Sequence, residues 1–375
     1  MNILILSAST GGGHMKTSNS IKSYIEDKDK TINIKVIDSL LYINPILNKT
    51  VTNGYIYLAT KIPKLYGVIY DLSNRETRFS NFVSKLNSSF SERLLPLIEE
   101  SIPDIIITTH PFPTEMISIL KDKGLVDIPL LCIMTDYAPH KTWINKKVDA
   151  YVVSNDDMLE KMKCDGVAEE SIYSYGIPIS EEFFQYSDKI RIFKDQSLNP
   201  NLPTILMMAG SFGVNTILET YKNILEIDKD FQIIVVSGKN KKLYNQFEKI
   251  INNKTKLVYY TDKISELMQI SDLVITKPGG LTITEALACN IPMLLFEAIP
   301  GQEEENANFL IKHKMAKKLE DKNSCIKAIS ELLEDKNKLI NMKIACEGFD
   351  KKECSENIFS LIKKLISSNS KNCVS

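Results

Sequence analysis

Apolar runs of four to seven residues recur along the chain, each opening into small or polar residues and then into a longer stretch with helical spacing. Residues 2–7, 32–37, 105–109, 130–135 and 150–154 form one series, and residues 204–208, 231–237, 257–260, 272–275 and 292–296 form a second. Runs this short and this continuously apolar predict strands buried on both faces. Their alternation with helical stretches predicts parallel, doubly wound sheets. A helix is expected over 16–24, another over 264–268, and a third over 281–288.

The two series are separated by a charged stretch that ends in Pro200 and Pro203, which reads as a helix and a linker. The expected organisation is an N-terminal domain over 1–180, a linker over 181–203, a second domain over 204–345 and a helical tail over 346–375. Within that tail, residues 358–366 form an amphipathic pattern suited to packing back onto the body. There is no short-period repeat and no low-complexity segment.

At 375 residues, with 43% hydrophobic and 25% charged content, the chain can bury two separate cores. Its net charge of -1 gives no general attraction to nucleic acid. The seven cysteines are scattered, without a CxxC pair, which suits reduced thiols of a cytosolic protein and implies no zinc site. No apolar run approaches the roughly 18 residues that span a bilayer, and Met1–Leu6 carries no basic leader.

The most informative stretch is Thr276-Lys277-Pro278-Gly279-Gly280-Leu281-Thr282-Ile283-Thr284-Glu285-Ala286, a strand end, a glycine turn and a helix start. The adjacent glycines let a ligand approach the backbone, and the first helical amides lack partners within the helix. Those amides and the helix dipole favour a phosphate, and Glu285, one turn on, suits a pair of sugar hydroxyls. The pattern points to a nucleoside diphosphate with its ribose; an ordinary strand-to-helix turn would carry the same glycines. A second strand and glycine turn, Thr10-Gly11-Gly12-Gly13-His14, lacks the spacing of a dinucleotide fingerprint or a P-loop. His14 there can titrate near neutral pH and take a proton from an alcohol, or serve as a capping or core histidine.

His110 follows a third strand, and Asp136, His140 and Trp143 follow a fourth, so three of the four histidines are expected at one crevice. Their spacing matches no helix-borne metal pair. The Asp-Lys-Asp triplets at 27–29 and 228–230 read as solvated surface. Gln302 and Glu303, at a loop that starts a helix, suit sugar hydroxyls or simple dipole compensation. Between Asp38 and Asp71 no acid occurs, while Lys49, Lys61 and Lys64 stand among Tyr42, Tyr55, Tyr57, Tyr66 and Tyr70. Residues 44–69 are therefore a candidate for docking on an anionic membrane, with an inward-packed helical hairpin as the alternative.

Taken together, Gly-Gly-Gly-His at 11–14, Thr-His-Pro-Phe at 109–112, Thr-Asp-Tyr at 135–137 with His140 and Trp143, and Gly-Ile-Pro at 176–178 resemble the N-terminal half of the monogalactosyldiacylglycerol synthase and processive diacylglycerol glucosyltransferase family. Lys-Pro-Gly-Gly-Leu-Thr at 277–282, Glu285-Ala286 and Pro-Gly-Gln-Glu-Glu-Glu-Asn at 300–306 resemble its C-terminal half. The resemblance implies a GT-B fold of two Rossmann-like domains facing across a cleft. It also implies an inverting transfer of glucose or galactose from UDP-glucose or UDP-galactose to diacylglycerol, giving glycolipid without a catalytic metal or other cofactor.

By motif match, Glu285 would bind ribose, Thr282 with Gly279 and Gly280 the diphosphate, and Gln302 and Glu303 the hexose. Ser211 and Phe212 would close the phosphate side, Gly13 would lie beside the donor, Lys277 would stabilise departing UDP, and backbone near Tyr260 would meet the uracil. His14 would be the catalytic base, with Asp136 the second choice. The expected location is cytoplasmic, peripheral on the inner face of the cell membrane.

Two departures stand out: residues 209–213 (Ala-Gly-Ser-Phe-Gly) carry fewer glycines than is usual, and Thr17 and Ser18 stand where alanines are common. The alternative is an enzyme using UDP-N-acetylglucosamine. The N-acetylglucosaminyltransferase of peptidoglycan lipid synthesis usually has a longer N-terminal glycine loop, and a UDP-sugar 2-epimerase has no use for the acid-free segment. A nucleotide-sugar binding protein is a third class, in which His14 would have no chemical role.

Overall fold

The computed structural model describes all residues except 10–11, 75–86, 209–213, 297, 350 and 373–375. The chain divides into two compact units. One comprises Met1–Ser180, Pro300–Gln302 and Lys351–Ser375, and the other Glu181–Ile299 and Glu303–Asp350.

The first unit holds a six-stranded parallel sheet in the order β2-β1-β3-β4-β5-β6. Its strands are β1 (Asn2–Ser7), β2 (Asn33–Asp38), β3 (Ile105–Thr108), β4 (Leu130–Ile133), β5 (Ala150–Val152) and β6 (Ile172–Tyr173). The continuous apolar runs are explained by burial on both sides, since successive side chains of a strand point to opposite faces. Ile3 and Ile5 join one core with Ile21 and Ile25 of the first helix, α1 (Gly12–Lys28), while Leu4 and Leu6 join another with Leu94, Ile98, Met116 and Leu120. The helix Cys354–Asn372 belongs to the first of these cores, where Ile358, Phe359, Leu361 and Ile362 are buried. This helix thus packs into the same unit as β1 and α1.

The second unit repeats the architecture with β7 (Thr204–Met208), β8 (Gln232–Val236), β9 (Thr255–Val258), β10 (Leu273–Thr276), β11 (Met293–Phe296) and β12 (Ala316–Leu319). All its strand pairs are parallel and the order is β12-β11-β10-β7-β8-β9. The segment after Ser180 is part of this unit. The Gln269 amide donates to the Gln185 carbonyl at 2.8 Å, and Arg191 pairs with Glu266 at 3.0 Å.

In both sheets the direction of chain progression reverses beside the first strand. The reversal lies between β1 and β3 in one sheet, and between β7 and β10 in the other. At such a reversal neighbouring loops leave in opposite directions and open a crevice at the carboxyl ends of the strands.

Three further helices follow β2: α2 (Ser39–Ile43), α3 (Pro45–Lys61) and α4 (Pro63–Ser73). The last has no buried side chain although most of its residues are apolar. β6 and β12 are short strands beyond those expected from the sequence, and α1 begins at Gly12, four residues earlier than the pattern 16–24 suggests. Glycine has low helix propensity, but the first turn of a helix contributes few of its internal hydrogen bonds, so the cost of Gly12 and Gly13 there is small.

Because Ile362 is fully buried in the first unit's core, Ile362→Ala is expected to destabilise that unit by about 2–5 kcal/mol. The exposed Ile344→Ala should stay within about 0.5 kcal/mol of the parent. Urea unfolding of both variants checks this, and equal midpoints would contradict the placement of the terminal helix.

Candidate functional site

In the first unit the reversal point gathers the polar groups that the apolar strands deliver. The Thr109 hydroxyl, just beyond β3, lies 2.8 Å from the Ser7 hydroxyl at the end of β1 and 2.9 Å from the Ser18 hydroxyl of α1. Ser18 also donates to the His14 carbonyl at 3.1 Å. The departure to serine at 18 therefore places a hydroxyl in this network, something the sequence pattern did not reveal. His14 sits in the first turn of α1, with Gly13 immediately before it, rather than in a turn ahead of the helix.

The His14 ring Nδ1 lies 3.0 Å from the Thr109 carbonyl oxygen and 2.8 Å from the Thr135 hydroxyl. Thr135 stands two residues past β4, so His14 joins the carboxyl ends of two strands while itself following β1. Desolvation pulls the His14 pKa down to about 4, with the Thr109 carbonyl working in the opposite direction. At neutral pH the ring is therefore uncharged and able to accept a proton.

His110 packs edge-on against His14, ring centroids 4.7 Å apart. It caps the helix Pro111–Asp122, its Nδ1 accepting from the Phe112 amide at 3.2 Å. Burial, with His14 nearby, holds its pKa well below the ordinary histidine value. Trp143 is buried 6.3 Å from the His14 ring.

His140 is engaged differently. Its Nε2 lies 3.2 Å from the Tyr70 carbonyl of α4, its Nδ1 lies 2.8 Å from the Thr142 hydroxyl, and its ring packs on Tyr70 at 4.3 Å. Desolvation again lowers its pKa. Of the three histidines expected at one crevice, the structure packs His14 and His110 together and gives His140 the task of holding α4. Asp136 is buried; its carbonyl accepts from the Ser154 hydroxyl at 2.8 Å, and its carboxylate accepts from the Gln302 amide, which belongs to the same compact unit. Among the described residues no three His, Cys, Asp or Glu side chains are placed to hold a metal ion.

In the second unit the glycine turn follows β10, which lies beside β7 at the reversal point. The helix Gly280–Ala288 starts there with Gly279 as its N-cap at φ -74° and with no side-chain cap. A Cβ added at Gly279 would meet nothing within 4 Å. Among the described residues, neither backbone conformation nor packing calls for glycine at 279, and the open space beside it leaves the backbone accessible. Thr282 lies in the first turn, partly exposed, and Glu285 is buried one turn on. Asn306 steadies the turn, its amide donating to the Pro278 carbonyl at 3.1 Å.

Lys277 is only 9% exposed, and among the described residues no hydrogen bond or ion pair reaches its ammonium. An ammonium at the same turn as an uncapped helix start suits an anion. Glu303 carries a carboxylate that accepts from the Ile299 amide at 2.9 Å, which ties it to its own loop. Tyr260 is 47% exposed two residues past β9, with its hydroxyl on Asp262 at 2.7 Å and the Lys239 ammonium 4.8 Å from its ring. Ser211 and Phe212 lie outside the described residues.

Comparison with known proteins matches each unit to a family model. Residues 14–179 match monogalactosyldiacylglycerol (MGDG) synthase, and residues 204–358 match the glycosyltransferase family 28 C-terminal domain. A processive diacylglycerol beta-glucosyltransferase of Staphylococcus carnosus is 35% identical over 347 residues, covering 91% of this chain and 86% of the relative.

Among solved structures, S. aureus MnaA with UDP aligns at TM-score 0.64 and 15% identity, covering 98% of this chain and 97% of that one. Acinetobacter baumannii MurG aligns at TM-score 0.63 and 13% identity, covering 96% and 99%. At such low identity these neighbours establish the fold, a GT-B-like pair of α/β domains. The motifs, the two family models and the relative that matches across both units agree, and the chain belongs to the monogalactosyldiacylglycerol synthase and processive diacylglycerol glucosyltransferase family.

Proposed function

We propose that this chain transfers glucose from UDP-glucose to the free hydroxyl of diacylglycerol, forming a membrane glycolipid with inversion at the sugar's anomeric carbon. The observation that carries the reading is the match along both units to a relative named as a diacylglycerol beta-glucosyltransferase. That name also favours glucose over galactose, since the residues at hand do not read the configuration of one hydroxyl. A β product from an α-linked donor is an inversion.

The second unit supplies the groups for the UDP part of the donor. The amides of Gly280–Thr282 and the Lys277 ammonium face the charge of the diphosphate, Glu285 takes the ribose, and backbone near Tyr260 takes the uracil. Gln302 and Glu303 serve the hexose, and Ser211 and Phe212 the phosphate side. Gly13 leaves room beside His14.

The step itself is a single displacement. The acceptor oxygen bonds to the anomeric carbon as the bond from that carbon to UDP breaks, and the electron pair leaves on the β-phosphate. His14 takes the acceptor proton. Asp136, hydrogen-bonded to the Gln302 amide, orients the sugar-side groups. Lys277 and the helix amides balance the leaving charge, so the reading calls for no catalytic metal.

The acceptor lies in a membrane, and the first unit has a surface suited to one. Ile46 on α3 is 77% exposed, and Tyr57, Leu65, Val68 and Leu72 are also exposed on α3 and α4. No acid occurs from 39 to 70, and Lys49, Lys61 and Lys64 add positive charge to this apolar surface. Apolar side chains with lysines at their margin dock at the headgroup boundary of an anionic bilayer. No helix among the described residues is long and apolar enough to cross a membrane. We place the enzyme as a peripheral protein on the cytoplasmic face.

In EDTA-containing buffer with diacylglycerol vesicles, the wild type is expected to form glucosyldiacylglycerol from UDP-glucose. His14→Ala should lose roughly a hundredfold or more in turnover while still binding UDP. Product only after Mg²⁺ is added would overturn the metal-free charge balance, and epimerised sugar without glycolipid would overturn the reaction class.

The pH profile has a definite sign. His14 must be neutral to act, and its pKa is held at about 4, so kcat/KM should be flat from pH 6 to 8 as far as this group is concerned and fall only as pH drops toward that value. An acid limb near the ordinary histidine value of about 6.5 would contradict the desolvation of His14 in its role as the base. Finally, Ile46→Glu together with Val68→Glu should abolish co-sedimentation with anionic liposomes; unchanged sedimentation would remove α3 and α4 from the membrane surface.

A further inference from the structure

The hydrogen-bond partners of His14 carry more than its presence at the site. A carbonyl oxygen has no hydrogen to give, so the 3.0 Å contact from Nδ1 to the Thr109 carbonyl requires the hydrogen to sit on Nδ1. The Thr135 hydroxyl, 2.8 Å from the same nitrogen, therefore meets an N–H and accepts from it. Both partners act on Nδ1 in the same sense, and Nε2 is left with the lone pair. His110, its edge-on neighbour, has the opposite arrangement, because its Nδ1 accepts from the Phe112 amide.

We propose that Thr135 is a positioning residue that, with the Thr109 carbonyl, holds His14 in the Nδ1–H form so that Nε2 receives the acceptor's proton. This rests on the reading of His14 as the base. Many histidine bases have a carboxylate behind them; here a carbonyl and a hydroxyl take its place. Two neutral acceptors can orient the ring and stabilise the imidazolium as it forms without introducing a second buried charge. Thr135 itself is 5% exposed at the end of a fully buried strand, so its hydroxyl has little freedom to leave. The carbonyl alone would still favour the same tautomer. The hydroxyl adds the second acceptor that fixes the ring plane against rotation.

The test uses the full chain and three variants, Thr135→Val, Thr135→Ser and His14→Gln, each first shown to unfold at the wild-type temperature. Imidazole ¹⁵N spectra of histidine-labelled protein near pH 7, with the His14 signals assigned by their loss in His14→Gln, should show a protonated Nδ1 and a bare Nε2. This readout does not depend on any transferase activity and stands even if the proposed acceptor proves wrong. In glucosyl transfer, Thr135→Val should lower kcat by roughly ten- to a hundredfold, the loss of one hydrogen bond to a developing charge, with KM for UDP-glucose unchanged. Thr135→Ser, which keeps the hydroxyl, should restore most of it. A His14 ring protonated on Nε2, or a Thr135→Val enzyme with wild-type kcat, would overturn the proposal.

Discussion

A parallel sheet sends all of its carboxyl ends to one edge, and the chemistry of this chain depends on that constraint in both units. Ser7, Thr109 and Thr135 are far apart in sequence but become neighbours because β1, β3 and β4 run side by side in register. His14 then needs only one helical turn after β1 to reach all of them. The same constraint sets the Lys277–Gly280 turn beside the end of β7. Strand interiors supply stability through their buried aliphatic residues, and strand ends supply the polar groups, so the two demands do not compete for the same positions.

The two units use burial for opposite electrostatic purposes. Around His14 and His110, desolvation lowers the pKa of both rings, and the groups bonded to them are uncharged: a carbonyl and a hydroxyl at His14 and the Phe112 amide at His110. At Lys277 burial surrounds an ammonium that nothing among the described residues neutralises. The first arrangement prepares a proton acceptor. The second prepares a place for negative charge, supported by the uncapped start of the helix Gly280–Ala288. His14 and Lys277 thus sit on different units, each beside the strand ends of its own sheet.

The helices α3 and α4 gather several exposed apolar side chains, Ile46, Tyr57, Leu65, Val68 and Leu72, and α4 buries none. That exposure carries a cost in water, which a lipid surface would remove. His140 supplies the fixed point: its ring packs on Tyr70 and its Nε2 meets the Tyr70 carbonyl, so the end of α4 is held close to β4 and its polar loop. The contact fixes the exposed apolar surface of α4 to the body of the first unit.

Much of this was legible from residue order alone. Buried parallel strands announce themselves as short aliphatic runs, because each must be apolar on both faces, and the paired glycines at 12–13 and 279–280 mark the helix starts that follow β1 and β10. The motifs around His14, Lys277 and Glu285 carried the family resemblance, and the acid-free stretch from 39 to 70 marked α3 and α4 as unusual.

What the sequence could not supply was pairing across distance. That Ser18 and Thr109 share a hydrogen bond, that Thr135 backs His14, that His140 holds α4 and that the last helix fills the first core are outcomes of strand order and packing. Local composition determines what each segment can become, since propensity and hydrophobic period act over a few residues. Which threonine meets which histidine depends on side chains brought together from a hundred residues apart, and only the tertiary structure decides that.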